Sequence, residues 1–150
     1  MVTVTAMSDR EHFAAVEAAL GQAGAEMLPG HLGIEVVELG AGRSLMRCSI
    51  AGFHLAPNGY LHAGSVVSLA DTAAGYGCVA NLPEGATGFT TIELKTNFLA
   101  TLKDGSMLAE GTMVHGGRTT QLWDVEVRAE DTGKTLALFR CTQLILYPRT

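Results

Sequence analysis

An aspartate inside an otherwise apolar segment is the first residue of this sequence that chemistry could use. Asp71 lies within the run Gly64–Leu82, flanked by Leu69, Ala70, Ala73 and Ala74. A carboxylate placed there needs partners or a shifted pKa, because burying an unpaired charge costs several kcal/mol. Two plain readings stay open at this point: a structural ion pair, or an aspartate that emerges on an exposed stripe. What precedes the segment adds a third. His62-Ala63-Gly64 stands at its start, and a helix N-terminus leaves backbone N–H groups free at its positive dipole end. Such donors can hold the oxyanion that develops during acyl transfer. Taken alone, His62 reads as a turn histidine making one backbone hydrogen bond.

The elements that must position these residues follow from periodicity and punctuation. Ser65 to Ala80 is apolar or small nearly all round, with no proline inside, and a helix without a wide polar face is a buried helix. Gly75 and Gly77 within it each cost roughly 1 kcal/mol relative to Ala, a cost expected to be offset by close packing against another backbone. Upstream, Ser8 and Glu11 form a capping box, and Phe13, Val16 and Leu20 recur at helical spacing until Gly21 and Gly24 stop the helix. Pro29-Gly30 reads as a loop. Ile34–Leu39 and Arg43–Ile50 read as strands joined by Gly40-Ala41-Gly42, the second alternating Leu45/Arg47 against Met46/Cys48. Residues 51–61 form a loop holding Pro57-Asn58-Gly59.

After Pro83-Glu84-Gly85, four strand-like runs remain: Phe89–Leu99, Met107–His115, Thr119–Ala129 and Thr135–Tyr147. Gly116-Gly117 is expected to be a two-residue hairpin turn, and Glu130-Asp131-Thr132-Gly133 the next turn. The order is α-β-β-α-β-β-β-β, an α+β arrangement. A mostly antiparallel sheet is expected to wrap one long helix within a single domain, 1–150. Residues 1–30 supply a short N-terminal helix and loop, and 31–147 the core.

Composition excludes several function classes. The 150 residues carry a net charge of −5, with no basic face suited to a nucleic-acid backbone. Charged residues are 17% and hydrophobic ones 47%, which excludes disorder. Cys48, Cys78 and Cys141 are too far apart for a zinc ribbon or a disulfide framework and read as small buried hydrophobes in a reducing compartment. Cys78 has no basic neighbour in sequence to make it a thiolate. Met1–Arg10 lacks the pattern of a signal peptide, and Asp71 makes Gly64–Leu82 a poor membrane span. A soluble, cytoplasmic protein is expected. His12, His31, His54, His62 and His115 show no metal-ligand spacing. No GxSxG elbow is present, which argues against a serine hydrolase.

Gly59-Tyr60-Leu61-His62-Ala63-Gly64-Ser65-Val66-Val67-Ser68-Leu69-Ala70-Asp71 resembles the G-x-x-H-G-G-x6-D signature of hotdog-fold acyl-CoA thioesterases of the phenylacetate-degradation, PaaI-like type. The resemblance continues through Thr91–Leu99, Glu110–Arg118 and Gly133–Ala137, and covers about residues 31 to 147. It implies a hotdog fold and hydrolysis of an acyl- or aroyl-CoA thioester to free acid and CoA. Asp71 matches the family's catalytic acid, as nucleophile or as general base on water. Ala63 would supply the oxyanion amide at the His62-Ala63-Gly64 helix start, with His62 placing the thioester carbonyl. Thr91 falls where relatives carry a residue that orients the attacking water, and Gly117 and Arg118 lie in a segment that meets the coenzyme A tail.

This chain departs from that pattern twice. Ala63 stands in place of the first glycine after the histidine, keeping the N–H but adding a Cβ. Ala56 occupies the position of an upstream Asn, while Asn58 stands two residues later and could substitute through a shifted loop. The resemblance implies no cofactor, with coenzyme A entering only as part of the substrate.

Spacing adds a constraint of its own. Ala63 and Asp71 on one helix are roughly 12 Å apart along its axis, so one thioester carbon cannot touch both. The site therefore combines the helix start of one protomer with Asp71 of another. A homodimer is expected, paired again into a homotetramer as in relatives. Two other functions remain open. A hotdog dehydratase or hydratase would use a His-Phe-Pro-Gly-like run, of which Phe53-His54-Leu55-Ala56-Pro57 is a poor version. A non-catalytic binder of acyl-CoA or a small aromatic fits if Asp71 is only structural.

Overall fold

A computed structural model of the chain describes residues 7–149, so the reading of Met1–Arg10 falls largely outside them. The expected elements appear in the expected order: α1 Asp9–Gly24, α2 Leu28–His31, β1 Ile34–Gly40, β2 Arg43–Ser49, α3 Ala63–Ala80, β3 Gly88–Phe98, β4 Ser106–Gly116, β5 Thr120–Ala129 and β6 Thr135–Leu146. Ser8 caps α1 through the predicted box: its hydroxyl accepts from Glu11 N–H, and the Glu11 carboxylate accepts from Ser8 N–H. Two short elements were hidden in what sequence reads as loop. Pro29-Gly30 lies inside the single turn of α2, and Gly52–His54 forms a 3₁₀ turn. Proline suits the first positions of a helix, where no N–H partner is needed.

All strand pairs are antiparallel, in the order β1-β2-β4-β5-β6-β3. The departure from a run of simple hairpins is β3, which passes over its sequence neighbour β4 and pairs with β6 at the far edge. Thr91 to Glu93 carry a bulge that leaves Ile92 unpaired with β6. The connection between β4 and β5 is also longer than expected. Gly116 ends β4, residues 117–119 make the turn, and Gly117 N–H donates to Thr120 O at 2.9 Å. Neither glycine has a positive φ. A Cβ on Gly116 would meet only the flexible end of the Met113 side chain, at 2.9 Å, whereas one on Gly117 would meet the exposed His115 ring at 2.7 Å and the Thr120 carbonyl oxygen at 3.1 Å, so backbone crowding bears on Gly117 alone.

Helix α3 lies across one face of the sheet. Its Val66, Leu69, Ala70, Ala73, Ala74 and Cys78 are buried with Met46, Met107, Trp123, Val127 and Cys141. The compensation for Gly75 and Gly77 is not another backbone but aromatic side chains. A Cβ on Gly77 would stand 2.6 Å from Trp123 Cη2, and one on Gly75 3.0 Å from Phe89 Cζ. Both glycines are therefore explained within the protomer. All three cysteines are buried and unpaired, and burial pushes the Cys78 thiol up to about 12 and the Cys141 thiol up to about 11. They are inert hydrophobes, as their sequence context indicated.

Candidate active site

The start of α3 is built by a hydrogen-bonded loop. Leu55 and Leu61 bridge, Ala56 N–H donates to Tyr60 O, and Gly59 N–H donates to Ala56 O across the Pro57-Asn58 turn. Gly59 adopts φ +81°, which this turn requires. Asn58 sits exposed at the tip, its Oδ1 accepting from Tyr60 N–H at 3.1 Å. Leu61 N–H donates to Leu102 O and so ties the loop to the segment after β3.

His62 is the N-cap of α3. Its Nδ1 accepts from Gly64 N–H at 2.8 Å, the single backbone bond its sequence position suggested. That bond fixes the chemistry of the ring. With Nδ1 an acceptor, the proton of the neutral imidazole sits on Nε2, an outward donor. It also removes Gly64 N–H from any oxyanion hole. The Ala63 N–H, by contrast, donates to nothing among the described residues. Gly64 has a steric role, since a Cβ there would meet His62 Nδ1 at 2.9 Å and disturb the cap.

Sequence reasoning missed the residue that anchors this helix start. His54 is buried; its Nδ1 accepts from Ala51 N–H at 2.8 Å and its Nε2 donates to Leu32 O at 2.8 Å. Its carbonyl accepts from both His62 N–H at 2.9 Å and Ser65 Oγ at 2.8 Å. One residue thus joins the segment after β2 and the residue after α2, through its ring, to the α3 cap, through its carbonyl. Both ring nitrogens are taken, which leaves His54 no means of acting as the base of a dehydratase. The only local signal was a histidine amid apolar neighbours.

Asp71 stands in the third turn of α3, half-buried and in no salt bridge among the described residues. Its Oδ1 is buried without a hydrogen-bond partner. The ion-pair reading is thereby removed, and an exposed stripe does not describe a buried oxygen. Burial raises its pKa above the usual aspartate value. Across the inner face of the sheet, Thr91 of β3 pairs with the buried Gln143 of β6, whose Oε1 also lacks a partner. Gln143 Nε2 donates to Cys141 Sγ at 3.4 Å, and the Asp71 charge is among the influences that raise that thiol, after burial. Unpartnered polar oxygens of this kind are uncommon in folded proteins.

Within one protomer these groups do not converge. Leu61–Leu102, and Leu99 and Ala100 N–H on Leu136 O, place the start of α3 by the Phe98 end of β3. Gly117 and Arg118 sit at the other end, where Ile145 N–H donates to Thr119 O, Thr87 N–H to Leu146 O, and Gln121 Nε2 to Asn81 O just past α3. There the exposed Arg118 guanidinium lies 5.2 Å from the centre of the Tyr147 ring, whose hydroxyl donates to Arg118 O at 2.6 Å. Asp71 and Thr91 fall between the two ends.

Comparison with known proteins agrees with this architecture. The family model described as thioesterase superfamily matches residues 58–136, from the turn before α3 into β6. A 1,4-dihydroxy-2-naphthoyl-CoA hydrolase from Listeria monocytogenes is 32% identical over 111 residues, spanning 74% of this chain and 89% of the relative. The acyl-coenzyme A thioesterase PaaI of Escherichia coli is 28% identical over 110 residues, 73% of this chain and 75% of its own length. A Haemophilus influenzae thioesterase structure superposes with a TM-score of 0.80 at 24% identity, covering 98% of this chain and 96% of that one. With its antiparallel sheet laid over one long helix, this chain belongs to the thioesterase superfamily and is a PaaI-like hotdog thioester hydrolase.

Proposed function

We propose that the chain hydrolyses acyl- or aroyl-CoA thioesters to the free acid and CoA, in a site shared between two protomers. The observation that carries this is the pairing on one helix of an unused Ala63 N–H at its start and an unpartnered Asp71 oxygen in its third turn. Roughly 12 Å of helix separates them, so they act on one carbonyl only across a dimer. The thioester oxygen would accept from Ala63 N–H and His62 Nε2–H, which hold the negative charge as it develops. Asp71 then either takes a proton from the water that attacks the carbonyl carbon, with Thr91 orienting that water, or attacks the carbon itself and is freed by water. Both routes break the same C–S bond, and the sulfur leaves as the CoA thiolate. Coenzyme A is part of the substrate, and the proposed steps draw only on the chain's own groups.

Edge strand β3 supports the dimer. It is 11 residues long, has one edge unpaired among the described residues, and exposes Ile92, Leu94 and Phe98, with Leu99 exposed just past its end; a long apolar edge invites pairing with another chain. Antiparallel pairing of two β3 strands about a two-fold axis sets the Phe98 end of one against the Gly88 end of the other. That brings the α3 start of one protomer toward the Arg118 turn of its partner, with Asp71 and Thr91 between. Arg118 and Gly117 are then placed for the coenzyme A tail, and Asn58 for the rim of the same opening. A second pairing of such dimers would give the tetramer.

The test is to incubate the protein with a panel of acyl-CoAs and a thiol reagent. Appearance of free CoA together with the free acid is expected. Acyl-CoA that binds but stays intact would favour the non-catalytic binder and overturn the proposal. Light scattering should find a dimer as the smallest active species; an active monomer at assay concentration contradicts the shared site.

A further inference from the structure

Three buried side-chain oxygens have no hydrogen-bond partner among the described residues: Asp71 Oδ1, Gln143 Oε1 and Thr96 Oγ1. The first two belong to one corner of the fold. Phe89 of β3 lies against α3 at Gly75, where a Cβ would stand 3.0 Å from its ring. Asp71 is one helical turn, roughly 6 Å, nearer the start of α3, and that start lies by the Phe98 end of β3. Two residues along β3 cover the same rise. They lead from Phe89 to Thr91, whose partner on β6 is the wholly buried Gln143. Cys141 gives a second bearing. Gln143 Nε2 donates to its Sγ at 3.4 Å, and the charge of Asp71 acts on the same sulfur, behind burial and that bond. Both oxygens are closed to solvent, so a donor for either must come from the protein.

The bonds as they stand leave the stronger acceptor bare. Sulfur is a weak acceptor and takes a Gln143 N–H, while the carboxylate oxygen takes none. Burial pushes the Cys141 thiol up to about 11, so it keeps its proton, and its S–H donates to nothing among the described residues. The oxygen and NH₂ of a glutamine nearly match in size, so a half-turn of the amide exchanges them in place. We propose that Gln143 is a positioning residue for Asp71: with its amide so turned, Nε2 donates to Asp71 Oδ1 and Oε1 accepts from the Cys141 thiol. This rests on the thioesterase reading. All three groups then have partners. Asp71 Oδ2, which is not closed to solvent, is kept for the attacking water or the carbonyl carbon. The bond fixes the rotation of the carboxylate and favours its charged form against the burial that opposes it. Two other carboxylates also act on Cys141, those of Glu93 and Asp124. Their register partners are Thr142 and Arg140, which puts them on the opposite face of the sheet. The thiols of Cys78 and Cys141 stay protonated through neutral pH. Asp71 is therefore the titrating group that the Gln143 amide faces.

The experiment compares the wild type with Gln143→Met, similar in bulk but without an amide, and Gln143→Glu, which keeps the shape and removes the NH₂. Loss of a donor to the charged form raises the Asp71 pKa, and the reaction uses the carboxylate. The acidic limb of the pH–rate profile should therefore move up by about one pH unit in Gln143→Met. It should move further in Gln143→Glu, where two carboxyls share a site. At the optimum, kcat should fall about tenfold, the scale of a lost hydrogen bond to a charge. KM for the acyl-CoA should change by less than about twofold, because Gln143 touches no substrate. A limb that stays in place in both variants, or kcat and KM that change together, would overturn the assignment. The side-chain amide signals of ¹⁵N-labelled, unliganded wild-type protein give a readout that needs neither turnover nor a Gln143 variant. One Gln143 Nε2–H signal should move downfield as pH rises through the titration of Asp71, and Asp71→Asn should abolish that movement. If it is seen in a protein that cleaves no thioester, the bond stands and the hydrolase reading fails. A Gln143 signal indifferent to pH rejects the bond whatever the turnover.

Discussion

The two halves of α3 share one helix and differ in almost every other respect. From Ala73 to Asn81 side-chain hydrogen bonds tie the helix to the sheet and its loops. Ser44 Oγ donates to Ala73 O at 2.7 Å, Asn81 Nδ2 donates to Gly77 O and Gly40 O, and Asn81 Oδ1 accepts from Gly42 N–H. Gln121 completes the set by donating to Asn81 O and accepting from the Trp123 indole. From His62 to Asp71 the helix instead keeps an amide without an acceptor and a buried carboxylate oxygen without a donor. The well-packed half anchors the helix so that the other half can hold groups whose partners arrive with substrate. Local satisfaction and function are thus divided along a single element.

The largest effect that would test this division is at Asp71. Asp71→Asn should lower kcat by at least 10²–10⁴-fold, the range for a positioned acid–base group. The same change should raise Tm. Burial lifts the Asp71 pKa above its ordinary value, so the folded state disfavours the carboxylate. Wild-type stability therefore rises as pH falls through that raised pKa, and is lowest above it, where the Asn variant carries no charge to bury. For a chain of this size, each 1 kcal/mol is worth roughly 2–4 °C. In the pH–rate profile, the acidic limb should lie above the usual aspartate range. A variant that keeps more than about a third of kcat would remove Asp71 from the chemistry, and a lowered Tm would show that the carboxylate is structural.

A smaller and opposite effect is expected in the second half. Gly77→Ala drives a methyl into Trp123 and should destabilise the fold by about 1–3 kcal/mol, as overpacking does, with kcat per folded molecule unaltered. Urea unfolding with activity measured well below the transition checks both parts. Loss of kcat in fully folded protein would mean that the two halves are not independent.

Strand boundaries and the limits of α3 were legible because two-residue alternation and turn glycines are local signals. Asp71 was legible as an anomaly, a carboxylate in a segment that offered it no partner. The position of β3 was not, because two strands, β4 and β5, separate it from its partner β6 and nothing in the intervening sequence marks the crossing. Gly75 and Gly77 announced close packing, but not that aromatic rings from β3 and β5 would fill the space. Sequence gave the Ala63 amide its place at a helix start, whereas the loss of Gly64 N–H to the cap depends on where the His62 ring turns. His54 stayed hidden for a related reason: its importance lies in bonds to Leu32, Ala51, His62 and Ser65, of which Leu32 is 22 residues away.

The finest probe of the functional half is the size of residue 63. The proposed role of Ala63 belongs to its backbone N–H, so substitutions should sort by bulk and not by polarity. Ala63→Gly keeps the amide and the His62 cap, and should leave kcat within a few-fold while costing some helix stability through glycine's greater freedom. Ala63→Val keeps the amide too, but sets a branched Cβ beside the incoming carbonyl, and should lower kcat/KM by tenfold or more with little change in Tm. The upper bound is the 10²–10³-fold lost with an entire oxyanion donor. Ala63→Ser, close in size to Ala but polar, should behave like the wild type. Kinetics on one benzoyl-CoA series decides the matter. If Val matches Ala while Asp71→Asn is inactive on the same substrate, the carbonyl is held elsewhere, and the site must be redrawn around the Asn58 amide at the tip of the preceding turn.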